Sequence, residues 1–321
     1  AGRVELPIQL PFEFADISRI SILACGTAYF AGFVAKYWFE TYANLPVDVD
    51  IASEFRYRAA PLRPGDVSIF VSQSGETADT LASLRHAREK GQHIVSVVNV
   101  ATSSIARDSD VVVPTLAGPE IGVASTKAFT AQLSVLACLA IAAGRARGAL
   151  SAIQERALVQ ALNEVPQLMI KALELEHESE PLARQLSESS NMLFLGRGTS
   201  YPLALEGALK LKELSYIHAE GYAAGELKHG PIALIDDTCP VVVIAPHDHL
   251  FQKTASNMQE VAARKGRIIL ISDATRERAA CALEAHIPMP SMHPFTNPLV
   301  YAVPVQLLAY HTAVFMGTDV D

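Results

Sequence analysis

The stretch FVSQSGETAD, residues 70–79, places hydroxyl and amide side chains around one glycine, after an apolar run and before a helical pattern. In an open parallel α/β sheet, such a turn lies at the carboxyl edge of the strands, where ligands bind. Backbone N–H groups and the positive end of the helix dipole favour an anion there, and Gly75 allows close approach of the backbone. The pattern predicts a phosphate-monoester site, with donors from Ser72, Gln73, Ser74 and Thr77.

Other interpretations of the glycine-containing turns are weaker or remain open. The turn lacks the GK[ST] ending of a nucleotide-binding P-loop, and CGTAYFAG from Cys25 lacks the GxGxxG spacing of a dinucleotide site. Ser74 could instead simply cap the following helix. Cys25 is interpreted as a packing residue, because no electropositive setting for it is evident.

Short β-branched runs such as ISILACG, VSIFVSQ, HIVSVVNV and DVVVPTL alternate with helical patterns. This alternation predicts a parallel sheet covered by helices on both faces. The pattern then repeats at an offset of about 172–175 residues: ILACGTAYFAG matches LFLGRGTSYPLA, and EKGQHIVSVVN matches ARKGRIILISD. The predicted fold class is α/β, with two tandem doubly wound parallel-sheet domains related by internal duplication.

The two domains are predicted at residues 1–160 and 161–321. Residues 146–185 are helical in pattern, which indicates a helical connector. Pro166 and Pro181 are predicted to mark helix boundaries, because the residue before a proline disfavours the helical conformation.

Composition narrows the classes of partner. Half of the residues are apolar, the net charge is -8 and no run of five basic residues occurs, so nucleic acid is not expected as a partner. The four scattered cysteines favour neither a disulfide framework nor a zinc site. The scattered cysteines fit a reducing compartment, so a cytoplasmic location is expected. The apolar stretch from Leu133 to Gly144 is too short to span a bilayer, so a buried helix and no membrane association are expected.

Several longer segments carry a specific resemblance: GPEIGVASTKAFTAQL from Gly118, ALEGALKLKELSYIHAEGYAAGELKHGP from Ala204 and PLVYAVPVQLLAYHTAVFMGTDVD at the end. With YWFE, IASEFRYR and SQSGETADTLASLR, they resemble the sugar isomerase (SIS) half of glutamine:fructose-6-phosphate amidotransferase. The likeness covers the chain from about Ile20 onward.

The resemblance implies that fructose 6-phosphate and ammonia are converted into glucosamine 6-phosphate, without a metal or an organic cofactor. Fructose 6-phosphate, glucose 6-phosphate or glucosamine 6-phosphate are the implied ligands. Ammonia comes in that family from an N-terminal glutaminase domain, which this chain does not contain, so a fragment is expected. The family also uses a lysine in a tail after GTDVD, and the chain stops at Asp321. The absence of this lysine weakens the expectation of full activity.

The family's phosphate loop matches the turn described above, and the sugar-lining positions match Thr27, Val123 and Ser125. Many members read CGTSY where this chain has Ala28 in CGTAY. The missing hydroxyl removes one possible hydrogen bond to the ligand, worth about 1 kcal/mol.

Ketose–aldose isomerisation needs a base that moves a proton between C1 and C2 and an acid that opens the sugar ring. Lys210 and Glu213 share a helical face, and spacing alone favours an ordinary surface ion pair. The resemblance instead implies that Glu213 is the base and that Lys210 polarises the sugar oxygens. It also implies that His229, in GELKHGP, opens the ring from a neighbouring subunit, so a homodimer with a shared active site is expected. Glu226 could orient that imidazole or bind the loop backbone.

Two alternative functions also fit the sequence. SIS domains also occur in non-catalytic sugar-phosphate sensors, although the chain has no basic helix-turn-helix module. A glucosamine-6-phosphate deaminase would run the related reaction toward fructose 6-phosphate and ammonia.

Overall fold

A computed structural model describes residues 2–321. The chain forms two compact units. The first comprises the residues up to Glu120 together with Ser125–Leu162, and the second comprises Ile121–Ala124 together with Asn163–Asp321.

The first unit is a five-stranded parallel sheet of order β2-β1-β3-β4-β5. Side chains alternate between the two faces of the sheet along each strand. On one face, Leu23 packs in a core with Phe70 and with Leu84 of α3. Helices α1 and α5 also pack against each other. The elements are β1 (Ile20–Ala24), α1 (Gly26–Ala43), β2 (Val47–Ile51), α2 (Ala52–Phe55), β3 (Val67–Ser72), α3 (Ala78–Glu89), β4 (His93–Val98), α4 (Ser104–Arg107), β5 (Val111–Pro114) and α5 (Lys127–Ala146).

The second unit repeats this arrangement after two connecting helices. Its parallel sheet has the order β10-β9-β8-β6-β7, and 3₁₀ turns occupy Ala224–His229, Pro231–Leu234, Arg276–Ala279 and Pro294–Thr296. The remaining elements are α6 (Ala152–Leu173), α7 (Glu176–Leu186), β6 (Asn191–Gly196), α8 (Ser200–Ser215), β7 (His218–Ala223), β8 (Pro240–Ile244), α9 (Phe251–Ala263), β9 (Arg267–Ser272), β10 (Ala285–Pro288) and α10 (Asn297–Met316).

Both sheets have the same strand order, read in chain order as 2-1-3-4-5, which confirms the predicted duplicated doubly wound fold. The burial of the central strands explains why the strands could be predicted from the sequence. All residues of β3 and β8 are buried, because helices cover both faces of a parallel sheet, and such strands read as continuous apolar runs.

The predicted helix boundaries at the two prolines are wrong. Pro166 lies inside α6 and Pro181 lies inside α7. Both prolines are exposed, so water can hydrate the carbonyl groups that lose their helical partner. Buried neighbours such as Val165 and Leu182 hold each helix in place, so packing outweighs the local preference.

Two helical segments, Lys127–Ala146 and Pro294–Met316, are long and apolar enough to cross a membrane by composition alone. About two-thirds of each window is buried inside the fold (67%). This burial is typical of core helices, and for α5 it agrees with the buried helix predicted from Leu133 to Gly144.

Candidate active site

The turn after β3 is closed by hydrogen bonds among its own residues. Ser72, the last residue of β3, is buried, and its Oγ accepts the N–H of Gly75 at 3.0 Å. The same Oγ lies 3.4 Å from Oγ1 of Thr77, the N-cap residue of α3, which makes no side-chain bond to its helix. The Ser74 hydroxyl accepts the N–H of Glu76 at 3.2 Å, so the alternative that Ser74 caps α3 is wrong.

The segment that follows β4 supports this turn from outside. Asn99 donates its N–H to the carbonyl of Gln73, which is half-buried, at 3.3 Å. The carboxylate of Glu76 accepts the N–H of the first residue of α4 at 2.7 Å, and this bond lowers the pKa of Glu76. The turn is therefore shaped by the backbone of β4 and α4 as well as by its own hydroxyls.

The acidic residue in the first turn of α3 is paired with a cation. Asp79 lies in the first turn of α3 and forms an ion pair with Arg56 at 2.7 Å. A free carboxylate at this position would repel an anion bound at the N-terminus of α3. The Arg56 guanidinium offsets that repulsion without belonging to the turn.

Thr27 lies at the neighbouring strand end of the same sheet. It is buried in the first turn of α1, which follows β1, and β1 pairs directly with β3. The crevice between these two strands is the topological switch point of a sheet with this order. Cys25 beside it is half-buried, and its Sγ accepts a weak hydrogen bond from Thr80 of α3 at 3.9 Å. The two strand ends that carry predicted site residues thus meet at one edge.

Ser125 lies in the segment that leads into α5. Its hydroxyl is 3.5 Å from the carboxylate of Glu120, which also accepts the N–H of Ala128 at 3.0 Å and the hydroxyl of Thr126 at 3.3 Å. Glu120 thereby caps α5 and orients the segment. Across residues 2–321, no hydrogen bond joins Ser125 to the turn after β3.

In the second unit, Lys210 is a buried cation on α8. Only 1% of its side chain is exposed, and its Nζ forms ion pairs with Glu213 and, at 3.7 Å, with Glu206, whose side chain is also 1% exposed. Glu213 is 38% exposed at its side chain. The interpretation as an ordinary surface ion pair is therefore wrong, because burying a charge requires compensation that a surface pair does not need.

Val123 and the C-terminal segment lie together in the second unit. Val123 is 59% exposed, and its N–H donates to the carbonyl of Val320 at 3.2 Å. Thr318 donates its hydroxyl to the carbonyl of Leu214, next to Glu213 in the chain, at 2.6 Å. The C-terminal segment thus connects the Val123 segment to the end of α8.

His229 ends the 3₁₀ turn Ala224–His229 and is exposed. In the described part of the chain, it makes no hydrogen bond or ion pair with Lys210 or Glu213. Glu226 is also exposed, and within residues 2–321 its side chain makes no hydrogen bond or ion pair with the imidazole or with the loop backbone. His229 is therefore presented to the surface by its turn.

The family model for the SIS domain matches two segments of the chain, residues 13–142 and 185–316. The chain belongs to the SIS domain family. The two matched segments contain all five strands of each sheet, so each sheet corresponds to one SIS segment.

Individual SIS relatives match along nearly the whole chain. Glutamine–fructose-6-phosphate aminotransferase [isomerizing] of Bradyrhizobium diazoefficiens is 69% identical over 99% of this chain and 53% of the relative. The protein of the same name from Brucella abortus biovar 1 is 64% identical over 96% of this chain and 51% of its own length. The chain therefore spans about half the length of the curated relatives it matches, and the resemblance deduced from its motifs is confirmed.

Solved structures of SIS proteins have the same fold as this chain. The C-terminal domain of glucosamine-fructose-6-phosphate aminotransferase from Francisella tularensis superposes with a TM-score of 0.94 at 46% identity, covering 96% of this chain and 88% of that domain. A glucosamine-6-phosphate deaminase from Thermotoga maritima has a TM-score of 0.75 at 19% identity, over 94% of this chain and 87% of its own. The second likeness shows the shared SIS fold alone.

Two carboxylates of this SIS chain were missed by the sequence reasoning. Glu120 had a usable signal, since an acidic residue shortly before a helix stabilises its N-terminus. Glu206 had a weaker one: it lies four residues before Lys210, which is the spacing of a helical ion pair. Nothing in that spacing indicated that both side chains would be buried.

Proposed function

We propose that this chain is the isomerase part of a glutamine–fructose-6-phosphate aminotransferase, built from SIS domains at residues 1–160 and 161–321. In the proposed reaction, fructose 6-phosphate and ammonia give glucosamine 6-phosphate and water. The observation that carries the proposal is the turn after β3, where hydroxyl and N–H donors gather at the switch point of the sheet without a cationic side chain of the turn itself. The names of the relatives at 61–69% identity support the same reaction.

The proposed roles follow the residues in turn. Ser72, Gln73, Ser74 and Thr77 hold the phosphate group, while Thr27, Val123 and Ser125 line the sugar. Ammonia replaces the C2 oxygen of the open-chain ketose, and that oxygen leaves as water. Glu213 then takes a proton from C1 and returns it to C2 while the proton of the O1 hydroxyl passes to the nitrogen, which leaves an aldehyde at C1 and an amine at C2.

Lys210 and His229 complete the proposed set. The Lys210 ammonium polarises the sugar oxygens, and its burial strengthens this effect because water does not screen the charge. A neutral imidazole carries one nitrogen that donates a proton and one that accepts, so His229 can transfer the proton that opens the ring. Its exposed position on the 3₁₀ turn fits delivery to the active site of a partner subunit in a homodimer. A glutaminase domain as the source of ammonia and a cytoplasmic location are part of the same proposal.

Fructose 6-phosphate is expected to raise the melting temperature of the chain, whereas fructose is not. A ligand that binds only the folded state stabilises it by mass action, by about 2.7 kcal/mol at 100 times its dissociation constant. Differential scanning fluorimetry with both sugars at equal concentration measures the difference, with inorganic phosphate as a third ligand to isolate the anion. Equal shifts for fructose and fructose 6-phosphate, or no shift at all, would count against the phosphate site.

Gly75→Ala is expected to abolish the stabilisation by fructose 6-phosphate. Gly75 has φ +67°, and a Cβ at this position would lie 2.0 Å from Oγ of Ser103, the N-cap residue of α4, so the turn has to move. Gly65→Ala is the matched control, because Gly65 also has a positive φ (+86°) but nothing lies within 4 Å of the added Cβ.

Both variants should lose about 1–2 kcal/mol to backbone strain, but Gly65→Ala should keep its response to the ligand. The same fluorimetric titration compares them. A Gly75→Ala protein that still responds to fructose 6-phosphate like the unmodified chain would remove this turn from the site.

A further inference from the structure

The turn that carries His229 is anchored on both sides within the second unit. Ala224 and Leu227 are fully buried and belong to a core cluster that also contains Met258 and Val261 of α9. His229 itself is exposed, so its position depends on how firmly the turn is held. The anchors in the core fix one side of the turn, and polar contacts hold the other.

A chain of polar contacts starts at the end of β6. Arg197 follows β6, and its Nη2 donates to Oδ1 of Asn257 at 2.8 Å. Asn257 is a buried residue of α9, only 6% exposed, and its Nδ2 donates to the carboxylate of Glu260 one turn later at 3.3 Å. Glu260 in turn forms an ion pair with Nζ of Lys228 at 2.7 Å. Lys228 directly precedes His229.

The start of the turn contacts the same arginine. A Cβ added to Gly225 would lie 3.2 Å from both terminal nitrogens of Arg197, so the guanidinium packs closely against the turn at this residue. Arg197 and Lys228 therefore hold the two ends of the 3₁₀ turn, and Asn257 and Glu260 connect them through α9. A guanidinium suits this position because its planar fork can donate to Asn257 while one face packs on backbone.

We infer that the contacts of Arg197, Asn257, Glu260 and Lys228, called here the α9 chain, position the turn so that His229 is held ready for proton transfer. These are positioning residues, and the inference rests on the proposed function of His229. A catalytic group displaced by about 1 Å can lose on the order of 100-fold in rate, although none of its own atoms has changed.

Asn257→Ala and Lys228→Gln, made in the longer protein that we propose this chain belongs to, test the inference. Each should lower kcat for glucosamine 6-phosphate formation by about 10- to 100-fold. KM for fructose 6-phosphate should stay within about two-fold, since the substrate-binding residues are untouched. Lys228→Gln breaks the exposed end of the α9 chain, where the lysine is 63% exposed, so it avoids the folding risk of Asn257→Ala. Lys228→Arg keeps the ion pair and should retain activity.

The matched control is Glu284→Ala, which removes an ion pair with Arg267 at 2.6 Å in the same unit but touches no part of the turn. Its kcat should equal that of the unmodified protein. A kcat for Lys228→Gln that matches this control, or a loss shared equally by Lys228→Arg, would overturn the inference.

The His229→Gln background separates positioning from a general structural effect. If the α9 chain acts through His229, then adding Lys228→Gln to His229→Gln should change kcat by no more than about two-fold, because residues that act as a unit are not additive. A full further loss in the double variant would overturn the inference while leaving the role of His229 intact.

Amide hydrogen exchange distinguishes failure of the proposed function from failure of this inference. Lys228→Gln should accelerate exchange of residues 224–230, and Glu284→Ala should not. If His229→Gln retains full turnover, the proposed role of His229 fails. In that case, accelerated exchange in Lys228→Gln would still show that the α9 chain holds the turn. Unchanged exchange would show that it does not.

Discussion

Glu213→Gln is expected to lower the rate of glucosamine 6-phosphate formation by about 10²- to 10⁴-fold, the usual contribution of a general base. The amide has the shape of the carboxylate but cannot accept the C1 proton. Binding of fructose 6-phosphate should persist, because the predicted phosphate ligands belong to a different segment. Stability should change little, since Glu213 is 38% exposed and Lys210 keeps Glu206 as a neighbour.

Steady-state turnover and exchange of the C1 hydrogen with deuterium from solvent measure this effect, and the fluorimetric shift by fructose 6-phosphate measures binding. Glu284→Gln is the control for removing a carboxylate elsewhere in the same unit. Turnover that survives in Glu213→Gln would rule out Glu213 as the base. Loss of both turnover and binding would also contradict the assigned role, because it would indicate damage to the whole site.

Lys210→Met is expected to destabilise the protein by about 3–5 kcal/mol as well as to inactivate it. The substitution preserves most of the buried volume but removes the cation beside Glu206, which is 1% exposed and cannot regain its hydration. Lys212→Met on the same helix is the matched control, since Lys212 is exposed and should change the free energy of unfolding by no more than about 0.5 kcal/mol.

Urea unfolding followed by circular dichroism compares these variants. The double variant Lys210→Met with Glu206→Gln should recover part of the loss, because the buried carboxylate is then gone as well. A Lys210→Met protein as stable as Lys212→Met would mean that the buried charge needs no compensation. The proposed electrostatic role of Lys210 would then lose its physical basis.

Predictions from local sequence were correct where a segment's own residues determine its structure. They were wrong where packing against distant residues determines it. The strand-end turn was recognisable because its glycine and hydroxyls are neighbours in the chain. The prolines led to wrong helix ends, because local propensity treats the hydrogen bond that a proline removes as the end of a helix. On the exposed faces of α6 and α7 the helix continues despite that lost bond. For Lys210, spacing alone predicted a surface ion pair, but the lysine is buried. A spacing of three residues to Glu213 is the same for a surface pair and for a buried one.

The amino-acid sequence by itself determined the alternation of strands and helices, the duplication of the sheet and the position of the glycine-containing turn after β3, because burial periodicity and turn chemistry are written in consecutive residues. Only the tertiary structure decided that Lys210 and Glu206 are buried together, that Glu120 caps α5, and that Arg197 meets Asn257 sixty residues away. Such contacts depend on how distant elements pack, and packing is a property of the whole fold and not of any one segment.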